Sequence, residues 1–178
     1  MKKWGIFLII IFAIVICRTY VFRMFFSYDT IKERTVLDVA NEKLKNRLKE
    51  TENNTSVEDL IQNSLKETAS TLSFSFYKCD HETDKLVETK KANCIGYSAF
   101  LASVIQFKLK QSGLENEWKV HHNVGEIYLM NENINRHFNS EFFRDHDFVT
   151  VENVKTKEII GIDATVYDYF RIERIKLK

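Results

Sequence analysis

A chain of 178 residues has room for one domain with a real core plus an attachment segment, and too little for two full domains. With 44% hydrophobic and 29% charged residues it is no disordered chain, and a formal charge of +1 removes the electrostatic case for nucleic acid, whose binding needs a clustered basic face. There are no prolines and five glycines, so the turns fall mainly to Asn, Asp, Ser and Lys, and three cysteines (Cys17, Cys79, Cys94) make no disulfide framework.

The chain opens with Lys2 and Lys3, then a run from Trp4 to Cys17 without a charged side chain. Those 14 residues would rise only about 21 Å as a helix, short of a hydrocarbon core of about 30 Å. Extension to Phe26 supplies the length, with Arg18 and Arg23 snorkelling at one interface and Trp4, Tyr20, Phe25 and Phe26 forming an aromatic belt. The rival reading is a cleaved signal peptide, but bulky Ile14, Val15 and Ile16 precede Cys17 where small residues would be needed. Residues 1–26 are therefore expected to form a transmembrane anchor or uncleaved signal. The protein is then expected to be a single-pass membrane protein with its folded domain outside the cytoplasm.

Residues 27–55 read as a charged helical stalk or linker, with a narrow apolar stripe of Val36, Leu37, Ala40, Leu44 and Leu48. The folded domain is expected over 56–178. Ser56 followed by Asp59 predicts a capped helix start, and Val57, Leu60, Ile61 and Leu65 its buried face. Phe74, Phe76 and Tyr77 alternate briefly before a polar loop over 78–91. Residues 93–111 are the most helix-like stretch, closed by Gly113, so Cys94 stands at the start of a buried helix. The period then changes to two, from Trp118 through Met130. After a polar loop over 131–144, strands follow around Phe148 to Val154 and Ile159 to Ala164, joined by a short turn. Helices first and strands after predict an α+β domain with an antiparallel sheet.

A thiol is a nucleophile only as thiolate, and the positive end of a helix and a nearby imidazolium both favour that form. Cys94 has the first by its predicted position, and His146 is the candidate for the second. Asp163 lies 17 residues beyond His146, the distance of a strand, a turn and a return strand, so the pair can be neighbours across the sheet. Read blandly, Cys94 is a small core residue, His146 a strand-surface residue and Asp163 a turn residue.

The local words around these three residues resemble the transglutaminase-like family. Asn93-Cys94-Ile95-Gly96-Tyr97-Ser98 is similar to its nucleophile segment, a cysteine followed by small and aromatic residues at a helix start. His146-Asp147-Phe148-Val149-Thr150-Val151 resembles its histidine strand, with Phe148 where Trp is frequent. Ile160-Gly161-Ile162-Asp163-Ala164-Thr165 resembles its aspartate motif, with Ala164 where Pro is common. The resemblance covers roughly residues 57–170. It implies a papain-like arrangement, a cysteine-bearing helix packed on an antiparallel sheet, and thiol-dependent acyl transfer on an amide or peptide substrate.

In that scheme Cys94, His146 and Asp163 form the catalytic triad, the Cys94 N–H serves the oxyanion, and Tyr77 is the candidate side-chain donor. The implied activity is that of a cysteine protease, hydrolase or acyltransferase; the alternative is an inactive binding module of the same fold. The implied partner is a protein or peptide substrate, beside the membrane, and no cofactor is required. His121, His122, His137 and His146 suggest no metal site, because adjacent strand residues point to opposite faces and no zinc-type spacing occurs. The oligomeric state is not legible.

Overall fold

The computed structural model of the chain describes residues 8, 12, 13, 15–50 and 56–178. In chain order these form α1 (Arg18–Phe25), β1 (Phe26–Arg34), α2 (Glu42–Glu50), α3 (Val57–Thr71), β2 (Ser73–Phe74), α4 (Thr83–Thr89), β3 (Lys91–Ala92), α5 (Cys94–Gln111), β4 (Trp118–Leu129), β5 (Glu132–Asn133), β6 (His146–Asn153), β7 (Ile159–Ile162) and α6 (Ala164–Phe170). Short 3₁₀ turns at Ile134–His137 and Glu141–Phe143 punctuate the segment between β5 and β6. The class is α+β, as the order of helical and alternating patterns predicts.

The main sheet is antiparallel, in the order β1-β4-β6-β7, with β5 paired to β4. Beyond β7 the C-terminal residues fold back, Ile175 bridging to Gly161 and Leu177 to Tyr28. The tail thus touches both edge strands, and the sheet curls around a small cluster of Tyr28, Phe148 and Ile175. On the other face lies the main core, where α5 packs across β4 and β6. The helix is buried on nearly every side: Tyr97, Phe100, Leu101, Ala102, Val104 and Ile105 are all inaccessible to solvent. Each large apolar side chain so buried contributes roughly 1.5–3 kcal/mol. That burial fixes the start of α5 against the sheet, and with it Cys94. The helix α3 begins as its capping pattern predicts, with Ser56 Oγ accepting from the Asp59 N–H at 3.1 Å.

Two expectations for the N-terminal third are corrected. Among the described residues no helix is long and apolar enough to cross a membrane. The helix α1 carries Arg18 and Arg23, and it ends at Phe25 because the chain passes into a sheet strand. Arg18, expected to snorkel toward headgroups, instead donates from Nε to the Arg171 carbonyl at 2.9 Å. The anchor over 1–26, and the single-pass extracytoplasmic location that depended on it, are therefore not upheld. Residues 1–7, 9–11 and 14 of that expected span lie outside the described residues.

Nor are residues 27–50 a helical stalk. Phe26–Arg34 is an edge strand of the main sheet, paired with β4 from Phe26–Leu129 to Arg34–His122 across an irregularity between Thr30 and Lys32. Only α2 is helical, and its Leu44 and Leu48 are buried in the main core. The expected break at 51–55 lies outside the described residues.

Candidate active site

Asn93 caps α5, its Oδ1 accepting from the Gly96 N–H at 3.2 Å, and Cys94 is the first helical residue. Its N–H, in the first turn, has no partner within the helix. Gly96 is required here, since a Cβ at that position would lie 2.8 Å from the Ala92 Cβ. A side chain at 96 would push α5 off β3 and displace the cysteine. The Cys94 side chain is buried but reaches the wall of a cavity that opens to solvent.

His146 opens β6, opposite Gly125 of β4, and Asp163 follows the last residue of β7. Because β6 and β7 are antiparallel neighbours, the His146 Nε2 meets the Asp163 Oδ2 at 2.8 Å. Cys94 lines the same cavity as His146, and its sulfur bears on the imidazole both by hydrogen bonding and by charge. Burial opposes protonation of His146, but the Asp163 carboxylate and the Cys94 sulfur outweigh it and hold the imidazole well above its ordinary pKa. Asp163 is the mirror case: burial pushes it up, and the His146 charge together with bonds from Thr165 and Val166 brings it below the usual carboxylate range. The two residues therefore favour a buried ion pair.

Asp163 is also the N-cap of α6. Its Oδ1 accepts from the N–H groups of Thr165 (2.9 Å) and Val166 (3.2 Å) and from the Thr165 hydroxyl (2.5 Å). Its Oδ2 accepts from His146 and from the Tyr28 hydroxyl at 2.9 Å. A carboxylate this thoroughly bonded cannot rotate, so it holds one ring edge in one place. Tyr28, 1% exposed, is packed edge-on against both Phe148 and His146. Burial and the neighbouring carboxylate push its phenol well above the usual range, so it remains a donor.

The structure thus brings together Cys94, His146 and Asp163, and adds Tyr28, which sequence reasoning missed. Tyr77 is not part of the site. It is 83% exposed and does not line the cavity beside Cys94. A side-chain oxyanion donor at that position is thereby withdrawn.

A second buried network sits on the α5 face of the same strand. Asp147 Oδ2 accepts from Arg34 Nε at 2.6 Å and meets His122 Nε2 at 2.7 Å, while the Asp147 carbonyl accepts from Ser98 Oγ at 2.8 Å. Burial raises Asp147, but the His122 and Arg34 bonds outweigh that and leave its carboxyl below the usual range. These contacts tie β1, β4 and α5 to the residue next to His146. They also separate the paired histidines: His122 points inward, whereas His121 faces Glu33 at the surface, as strand alternation requires.

The cavity at Cys94 has a volume of about 480 Å³, and its walls include Phe74, Phe76, Phe142, His146 and Tyr169. No protein-family model matches the chain, and searches of curated proteins and of solved structures return no significant similarity.

Proposed function

We propose that this chain is a cysteine-dependent acyl-transfer enzyme of the transglutaminase-like kind, acting on an amide, ester or peptide through Cys94, His146 and Asp163. The observation that carries this reading is the Asp163–His146 bond at 2.8 Å, on an imidazole that lines one cavity together with a helix-start cysteine. A structural salt bridge has no use for a helix-start cysteine beside it, nor for a cavity that both line. The chemistry follows from the charges. The Cys94 sulfur, paired with imidazolium, attacks the carbonyl carbon, and the C–N or C–O bond breaks as His146 gives its proton to the leaving group. Water or an amine then attacks the acyl-enzyme carbonyl, with His146 as base, and restores the thiol. Asp163 keeps the ring oriented and balances its charge. The Cys94 N–H is the natural donor to the oxyanion.

The reading is tested by alkylating the full chain with iodoacetamide from about pH 5 to about pH 9 and mapping the labelled cysteine. Rapid labelling of Cys94 on the acid side of neutrality, lost in His146→Ala, is expected. Labelling at the rate of an ordinary thiol, indifferent to His146, would leave a non-catalytic module of similar fold.

A further inference from the structure

Six of the chain's 14 phenylalanines stand around one cavity, and the cavity belongs to Cys94. Its wall is assembled from three segments far apart in sequence: Phe74 and Phe76 after α3, Phe142 and its neighbours in the 3₁₀ turns, and Tyr169 at the end of α6. Phe74 holds the assembly together, its ring lying 5.1 Å from Phe76, 6.4 Å from Phe142 and 6.2 Å from Tyr169. The wall is therefore preformed. Yet several of its rings face water, Phe76 being 70% and Tyr169 62% exposed. Aromatic surface left exposed in one concave place marks a ligand site, and about 300–1,000 Å³ is the size range of such sites.

Among the described residues, the ionisable groups on the wall are Asp145, His146, Tyr169 and Cys94 itself, with no Lys or Arg. An anionic acyl group would meet the Asp145 carboxylate, and the one cation on the wall, the His146 imidazolium, is already engaged by Asp163. A polar carboxamide would displace water from aromatic faces without replacing its hydrogen bonds. Cations are found instead around a separate cavity lined by Arg34 and Lys78, which does not include Cys94.

Resting on the function proposed above, we infer that the acyl group transferred by Cys94 is neutral and apolar, an aromatic or medium-chain aliphatic acyl group seated in the aromatic cavity. The bond that breaks is the one from its carbonyl to a nitrogen, oxygen or sulfur leaving group, which departs with the His146 proton. The acyl carbonyl is left on the Cys94 sulfur, and the apolar group lies against Phe74, Phe76 and Phe142.

The test uses the full chain and N-acetylcysteamine thioesters of acetyl, succinyl, octanoyl and phenylacetyl groups, following acyl-Cys94 by intact mass and thiol release. Burial is worth about fourfold per methylene, so octanoyl should exceed acetyl by on the order of 10³-fold in kcat/KM. Phenylacetyl should rank with octanoyl, and succinyl should be the slowest. In Phe76→Asp, and separately in Tyr169→Ala, the octanoyl-to-acetyl ratio should fall at least about tenfold; both side chains are exposed enough to change without unfolding the chain. Equal rates for all four thioesters overturn the inference and leave the proposed function standing. So does a flat series accompanied by a dimer in sedimentation that Phe76→Asp dissolves, which would assign the aromatic surface to a second copy. Absence of acyl-Cys94 with every thioester, together with ordinary alkylation of Cys94, sinks the parent reading instead.

Discussion

Replacing Tyr28 by Phe removes one oxygen from the centre of the site and nothing else. The ring keeps its edge-on contacts with Phe148 and His146, at centroid distances of 5.4 and 6.0 Å. What is lost is the 2.9 Å bond to Asp163 Oδ2, a bond to a carboxylate with no solvent exposure and hence no water to take the donor's place. Hydrogen bonds to charged groups are worth roughly 1.5–3 kcal/mol, and because four other donors remain on Asp163 the lower part of that range applies, about 2 kcal/mol. For a chain of this size that lowers Tm by about 4–8 °C. Urea unfolding at neutral pH should show a lower midpoint with an unchanged slope.

The effect on chemistry runs the other way. Tyr28 and His146 share one oxygen, so without the phenol the carboxylate's charge falls more fully on the imidazolium. Low-pH alkylation of Cys94 should persist or strengthen in the Phe variant even as the protein becomes less stable. A variant as stable as the parent within about 0.5 kcal/mol, or one losing stability and Cys94 reactivity together, would refute the reasoning.

Asp163→Asn keeps the cap of α6 through Oδ1 but presents an amide N–H₂ to two donors, His146 and Tyr28; acyl transfer should fall on the order of 10³–10⁴-fold while far-ultraviolet dichroism is retained. Gly125→Ala should fail to fold or lose more than about 4 kcal/mol, since the new Cβ would sit 2.1 Å from the Asp29 carbonyl oxygen and 2.7 Å from the Phe148 ring; denaturation or soluble yield decides. Because Asp147 is held below its unfolded pKa, its contribution to stability is full above about pH 4 and is lost as pH falls through the folded value. Arg34→Ala removes one of the two partners that depress it, so acid unfolding monitored by fluorescence should begin at higher pH than in the parent. His146 has the opposite sign: stability from its raised pKa is full below about pH 6.5 and declines as pH rises through the folded value, a slope that His146→Ala should abolish.

The site was legible where its chemistry is written in local words. Cys94 at a helix start and His146 on a strand antiparallel to the next follow from the 3.6-residue and two-residue periods of residues 93–162, whereas the strand expected to run to Ala164 ends at Ile162 and Asp163 instead caps α6. The edge strand β1 was not legible, because only Ser27 and Tyr28 are buried in it and Asp29, Lys32, Glu33 and Arg34 give no alternation. Without β1 in view, the charged run that follows read as a stalk, and the aromatic residues up to Phe26 read as the end of a membrane span. Tyr28 and Arg34 were missed for the same reason: each acts on a residue more than a hundred positions away. The cap at Asp163 did leave a signal, in the Thr that follows two positions on. The helix α4, inside what read as a polar loop, is seven residues long and buries only Thr83 and Leu86, too little for a periodic pattern.

The central claim is that His146 is an imidazolium held between a buried carboxylate and the Cys94 sulfur. NMR of the His146 ring from about pH 5 to about pH 9, in the full chain and in Cys94→Ala, measures it directly. The account predicts a ring still protonated well above the ordinary value of about 6.5, with its titration moving down when the sulfur is removed. Titration near about 6.5 in both proteins would contradict it and with it the acyl-transfer mechanism.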